Sequence, residues 1–435
     1  MNRLLFSILF FFNIVLSFAK ADCDENNLFE FRERDGLPNV SRKILQEDSV
    51  YIAYLGGSIT AQNGWRVQSM NYLKKRFPKT PFIEINASLG GTGSQLGVLR
   101  MDEDVLKYNT DLVFIEFAVN DYGISEETVY QTMEGIVRKL WRSNPFCDIC
   151  FIYTTTEALI NKFGIDTLHK TVIAMEKVAD FYKIPSVYLP YEVVSLLKQG
   201  KLVMSPPKGK MLRVSGNELN RNSSLPTEDD GKIYFSPDGV HPFLNTGHVL
   251  YTNILKKALN KMLHEEYKND KHNIKFCLSN KNYENARKIA ISKMQPAVAW
   301  MKLPETSLLY KNYKERFDEL WDGSVGATLD FTFKGRGIVA YDVLSPEGCR
   351  LEITVDGKKF FVNRFDGYCT YARFHYVELI SDLDSNMEHH VHIKVINEGL
   401  DKENILLEEN RKDFYANPKK YEKVHWLLNS IFVIP

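Results

Sequence analysis

A change of hydrophobic rhythm near residue 300 constrains this chain more than any other feature. From residue 50 onward, short apolar runs at 50–55, 82–85, 112–119, 149–153 and 184–189 alternate with amphipathic stretches. Each run is rich in β-branched or aromatic residues and too short for a typical helix. Between them, Val129, Met133, Ile136, Val137, Leu140 and Trp141 trace one helical face, and Leu250, Ile254, Ala258 and Met262 trace another. Strands apolar on both faces and separated by helices predict a parallel sheet covered on each side. We therefore expect a three-layer α/β/α domain over residues 45–265. After residue 300 the period becomes two. Ala327, Leu329, Phe331 and Phe333 alternate with Thr328, Asp330, Thr332 and Lys334. Cys349, Leu351, Ile353 and Val355 do the same and run into Asp356-Gly357, a hairpin signal. Val391, Ile393 and Val395 repeat the pattern. Strands with one buried face and no helices between them predict a β-sandwich over residues 301–435. Residues 266–300, rich in Lys and Asn, form the connector.

Of the 435 residues, 55 are Lys or Arg and 55 are Asp or Glu, so no global charge recruits nucleic acid or an anionic surface. Residues 1–21 read as a signal peptide: Arg3, an apolar run at 4–16, then Ala19-Lys20-Ala21. The expected location is secreted or periplasmic. That run is too short to span a bilayer, and no later one approaches the ~20 apolar residues a span needs, so integral membrane association is not expected. Lys20, Ala21 and Asp22 lack the small-residue pattern of a lipoprotein signal before Cys23. Cys147-x-x-Cys150 has no second pair at zinc-site spacing, and Cys150 reads as a buried strand residue. An oxidising compartment leaves a Cys349–Cys369 disulfide open.

The chemistry gathers at the ends of the apolar runs, where open parallel sheets bind ligands. The first run ends in Tyr-Leu-Gly-Gly-Ser-Ile-Thr at 54–60, which places Ser58 after two glycines. The second ends in Asn-Ala-Ser-Leu-Gly-Gly-Thr at 86–92, and the third in Phe-Ala-Val-Asn-Asp-Tyr at 117–122. Singly, these are turn and cap residues. Together they put a hydroxyl, a glycine N–H and the Asn120 amide on one sheet edge, the donors an oxyanion needs beside a serine nucleophile. The segment Ser-Pro-Asp-Gly-Val-His-Pro at 236–242 adds His241 as a base, with Asp238 three residues earlier to orient it. The Pro- and Gly-punctuated stretch at 200–235 precedes that motif and is a candidate substrate wall. His390 and His392 share a strand face, which permits metal binding, though a solvated face explains them better. Trp65-Arg66 is read either as a substrate contact or as a helix start.

The ordered series Gly-Gly-Ser, Asn-Ala-Ser-Leu-Gly-Gly, Val-Asn-Asp and Asp-Gly-Val-His resembles the four blocks of the SGNH (GDSL-like) hydrolases over about residues 48–262. The resemblance implies a flavodoxin-like parallel sheet, Ser58 as nucleophile, and Asp238 and His241 as the rest of a triad. It also implies an oxyanion hole from the N–H groups of Ser58 and Gly91 and the Asn120 amide, with Gly90 as the alternative donor. Two positions depart from the family: Gly57 replaces its usual Asp, and Ala118 a common Gly. No metal or organic cofactor is implied. Export and an accessory sandwich further resemble bacterial carbohydrate esterases, which makes an acylated carbohydrate the expected substrate. The alternatives are a secreted lipase or lysophospholipase and a catalytically silent carbohydrate-binding protein.

Overall fold

The computed structural model describes residues 28–216, 225–263, 271–274, 276–296 and 298–435. The signal-peptide expectation at 1–21, Cys23, part of the 200–235 stretch and part of the connector lie outside them. The first domain is built on a six-stranded sheet. Its strands are β1 (Phe31–Arg32), β2 (Val50–Gly56), β3 (Phe82–Asn86), β4 (Leu112–Glu116), β5 (Asp148–Tyr153) and β6 (Ser186–Tyr188), in the order β1-β6-β5-β4-β2-β3. β2 through β6 run parallel in flavodoxin-like order, and β1 adds an antiparallel edge against β6. The fold therefore begins upstream of residue 45, with β1 and the helix Pro38–Leu45.

Side-chain alternation along the strands divides the core in two. Ile52, Tyr54, Leu112, Phe114, Cys150 and Ile152 face the helices Trp65–Arg76 and Gly247–Met262. Ala53, Leu55, Val113, Ile115, Ile149 and Phe151 face the helices Glu126–Ser143 and Lys170–Tyr182. Trp65 and Arg66 start a helix: Trp65 is buried with its ring 5.4 Å from that of Tyr54, and Arg66 donates to the Thr60 carbonyl at 3.1 Å. Two short strands, β7 (Leu202–Val203) and β8 (Ile233–Tyr234), pair in parallel and bracket the long loop. Glu228 gathers the backbone N–H groups of Arg213, Val214 and Ser215 inside that loop.

The C-terminal part is a sandwich of two antiparallel sheets. Its strands are β9 (Arg287–Ile289), β10 (Trp300–Lys302), β11 (Trp321–Ser324), β12 (Thr328–Lys334), β13 (Gly337–Leu344), β14 (Arg350–Val355), β15 (Lys358–Asn363), β16 (Arg373–Ile380), β17 (Glu388–Ile396) and β18 (His425–Ile434). One sheet runs β12-β17-β14-β15, and the other β10-β11-β18-β13-β16 with β9 on β18. The Asp356-Gly357 turn joins β14 to β15 with both residues at positive φ (48° and 79°), as a two-residue primed turn requires. Every residue of β13 and β18 is buried, because their sheet has an apolar partner on each side. Ile338, Ala340, Leu428 and Val433 point into the sandwich, whereas Val339, Tyr341, Val343, Leu427 and Phe432 join the core of the first domain.

The connector is a strap. The His272 ring stacks on Trp141 at 4.7 Å, the N–H groups of Leu278 and Ser279 donate to Glu134, and Glu284 pairs with Arg138 at 2.7 Å. Cys349 and Cys369 are free thiols, as are Cys147 and Cys150. His392 pairs with Asp330 at 2.7 Å, and no metal-holding group of three or more His, Cys, Asp or Glu occurs among the described residues. No helix among the described residues is long and apolar enough to cross a membrane.

Candidate active site

β2 ends at Gly56, and the chain turns through Gly57 into the short helix Ser58–Ala61, which begins with the serine. The turn is fixed from below by Glu116, the last residue of β4. This buried carboxyl accepts from the Gly57 N–H, from Thr60 Oγ1 at 2.8 Å and from Thr154 Oγ1 at 2.7 Å. Burial pushes its pKa up, and the three donors oppose the rise. Ser58 is left half-buried at the carboxyl edge of the sheet.

On the far side of that edge, the segment before the helix Gly247–Met262 carries the expected base, His241. His241 Nε2 lies 2.9 Å from Ser58 Oγ, and His241 Nδ1 lies 2.7 Å from Asp238 Oδ2. The other carboxylate oxygen of Asp238 accepts from the N–H groups of Val240 and His241, at 2.9 and 2.8 Å, and from Ser236 Oγ at 2.9 Å. Partial burial works to raise the Asp238 pKa, but these hydrogen bonds prevail and hold it at about 2. The loop is shaped by Gly239 at φ 77°, packed on Glu157, whose carboxylate accepts from Ser205 Oγ at 2.5 Å.

The remaining predicted donors meet at the same place. Gly90 lies against Ser58: a Cβ there would sit 3.4 Å from Ser58 Cβ. Gly91 takes φ 73°, and neither glycine's N–H meets an acceptor among the described residues. The Asn120 side chain abuts Gly57 so closely that a Cβ at residue 57 would overlap Asn120 Oδ1. The departure from Asp at 57 therefore goes with an Asn120 amide occupying the space a side chain would need. Ala118 is buried, and its carbonyl accepts from Thr171 Oγ1 at 2.9 Å.

Sequence reasoning did not single out three groups beside the site. Glu116 was hidden inside an apolar run. Asp121, next to Asn120, is fully buried; it accepts from the Ser94 N–H at 3.0 Å, and burial pushes its pKa up to about 7. Arg316 comes from the far side of the chain and donates to the Ser88 carbonyl at 2.7 Å. No local pattern near residue 316 signals that contact.

No family model matches the chain, and no curated protein matches it. Solved structures do. Two structures of a two-domain esterase described as active on acetylated mannans, one co-crystallised with mannopentaose, align with TM-scores of 0.66 and 0.63. Each is 20% identical and covers 93% of this chain and 98% of its own. An acetyl xylan esterase covers 49% of this chain at 17% identity and a TM-score of 0.34. The full-length likeness shows a shared fold: an α/β/α domain followed by a β-sandwich.

Proposed function

We propose that this chain is a serine ester hydrolase that removes acetyl groups from a carbohydrate polymer. The observation that carries the reading is the continuous relay Asp238–His241–Ser58, with links of 2.7 and 2.9 Å. The Ser58 hydroxyl donates to His241 Nε2, and His241 Nδ1–H donates to the ionised Asp238. Ser58 Oγ attacks the ester carbonyl as its proton passes to His241, and Asp238 stabilises the imidazolium. The oxyanion is received by the N–H groups of Ser58 and Gly91 and by the Asn120 amide, with Gly90 as the neighbouring donor. Collapse breaks the bond to the sugar oxygen, which takes the proton from His241. Water then attacks the acetyl-serine and gives a proton to His241; collapse breaks the bond to Ser58 Oγ, which takes that proton back, and the acetyl group leaves as the free acid.

Two features support a polymeric alcohol. The side chains of His241 and Asp238 are 36% and 50% exposed, so the scissile bond is reached from the surface. The protein sharing the fold over both domains is described as active on acetylated mannans. Residues 1–21 support export, which would bring the enzyme to extracellular polysaccharide. Acetate release from acetylated mannan tests the reading: wild type should release it and Ser58→Ala should not. Cleavage of phospholipid but not of acetylated mannan would favour a lipase, and mannan binding without any hydrolysis would favour a silent binding protein.

A further inference from the structure

The loop of residues 87–93, between β3 and the helix Ser94–Leu99, has no regular structure of its own, yet it carries Gly90 and Gly91. Its N–H side is tied to the nucleophile's strand: Ala87 N donates to the Tyr54 carbonyl at 3.0 Å, and Leu89 N to the Gly56 carbonyl at 2.9 Å. Its carbonyl side is held by two arginines. Arg100, from the same domain, donates to the Ala87 carbonyl at 2.5 Å, and Arg316, from the sandwich side, donates to the Ser88 carbonyl at 2.7 Å. Asp104 lies between the two guanidinium groups, paired with Arg100 and 3.6 Å from Arg316. Beyond the glycines, the hydroxyl of Tyr376 on β16 faces the Gly93 backbone. Contacts from the second domain thus bracket the two glycines.

Arg316 is itself held in place. It lies between Tyr313 and Phe317, which bury their rings against β13 and β16: Phe317 sits 4.8 Å from Tyr341 and 5.0 Å from Phe374, and Tyr313 sits 5.1 Å from Phe374. An aromatic cluster at the domain interface therefore sets where the guanidinium can reach. The guanidinium in turn fixes a carbonyl two residues before Gly90.

We infer that Arg316 is a positioning residue through which the β-sandwich holds the oxyanion loop in register with Ser58, Tyr376 being the second tether. This rests on the esterase reading above. It gives the sandwich a part in the acyl-transfer step that does not require it to touch the substrate. An oxyanion donor displaced by about 1 Å lowers turnover by up to roughly 100-fold, because its hydrogen bond is made fully only in the transition state.

The test uses the full-length protein, a small acetyl ester and a fluorophosphonate that captures the serine through the same oxyanion geometry. Arg316→Ala should lower kcat by about 10- to 100-fold and slow fluorophosphonate capture in parallel, with KM within twofold of wild type. Arg316→Lys should recover part of the loss, since an ammonium still reaches a carbonyl as a single donor. Tyr376→Phe, which removes only a hydroxyl, should show a smaller loss of the same kind and serves if Arg316→Ala does not fold. A folded Arg316→Ala protein with kcat within twofold of wild type overturns the inference, as does a change in KM alone. If neither Arg316→Ala nor Arg316→Lys folds and Tyr376→Phe is unaltered, the inference also falls. Wild type inert to both ester and fluorophosphonate overturns the esterase reading instead, and this inference with it.

Discussion

Gly57 shows at the scale of one residue why the motif could be read and its surroundings could not. The serine, the paired glycines, the asparagine and the Asp-x-x-His spacing are local patterns, so each was visible without the fold. What Gly57 makes room for was not visible, because Asn120 reaches it from a different strand end. A methyl group at 57 would overlap Asn120 Oδ1, so Gly57→Ala must displace that amide. We expect Gly57→Ala to lower kcat on a small acetyl ester by roughly 100-fold, close to Asn120→Ala, for which the loss of one side-chain donor is typically 100- to 1000-fold. The double variant should be little worse than either single one, since both remove the same donor. Additive losses in the double variant would show that Gly57 acts through some other contact.

At the scale of elements, the period-3.6 and period-two patterns located the helices and strands because each has one clear partner layer. The reading was poorest where an element is too short to have a period. β1 has two residues and pairs with β6, and its neighbour Arg34 donates to the Ile184 carbonyl and pairs with Glu176 at 2.7 Å each. The helix Gly247–Met262 contains His248, a charge-capable group on a face that otherwise reads as apolar. His248 Nδ1 accepts from the Trp65 N–H at 3.1 Å, and Nε2 lies 3.0 Å from Gln62 Oε1, so the ring is neutral and clamps the end of the short Ser58–Ala61 helix and the start of Trp65–Arg76 to this one. Burial, then the proximity of His241, pulls its pKa down to about 3, and burial pulls His169 down to about 4. The unfolded chain takes up these protons near pH 6.5, whereas the folded chain does so only near 3 and 4. Stability contributed by the neutral rings is therefore present above about pH 6.5 and lost as pH falls, by about 1.4 kcal/mol per pH unit for each ring. Unfolding free energy measured between pH 6.5 and 5 should fall, and His248→Gln should shed about one proton's worth of that slope. An unchanged slope in His248→Gln would remove His248 from the account.

For the whole molecule, the two domains were legible as separate patterns, but their union was not. β13 and β18 lie outside the period-two runs because both of their faces are buried, and only the structure shows that the second face belongs to the first domain's core. The same interface delivers Arg316 to the loop beside Ser58, a contact spanning 228 residues that no local pattern encodes. On the function proposed above, the two domains form one catalytic unit with Ser58 as its single nucleophile. Intact-mass spectrometry after fluorophosphonate treatment tests that claim most directly. The account predicts one phosphonyl adduct per chain, mapped to Ser58, with none on Ser58→Ala and greatly slowed addition on His241→Ala. An adduct on another residue, or no adduct on a wild-type protein that still hydrolyses acetyl esters, would contradict it.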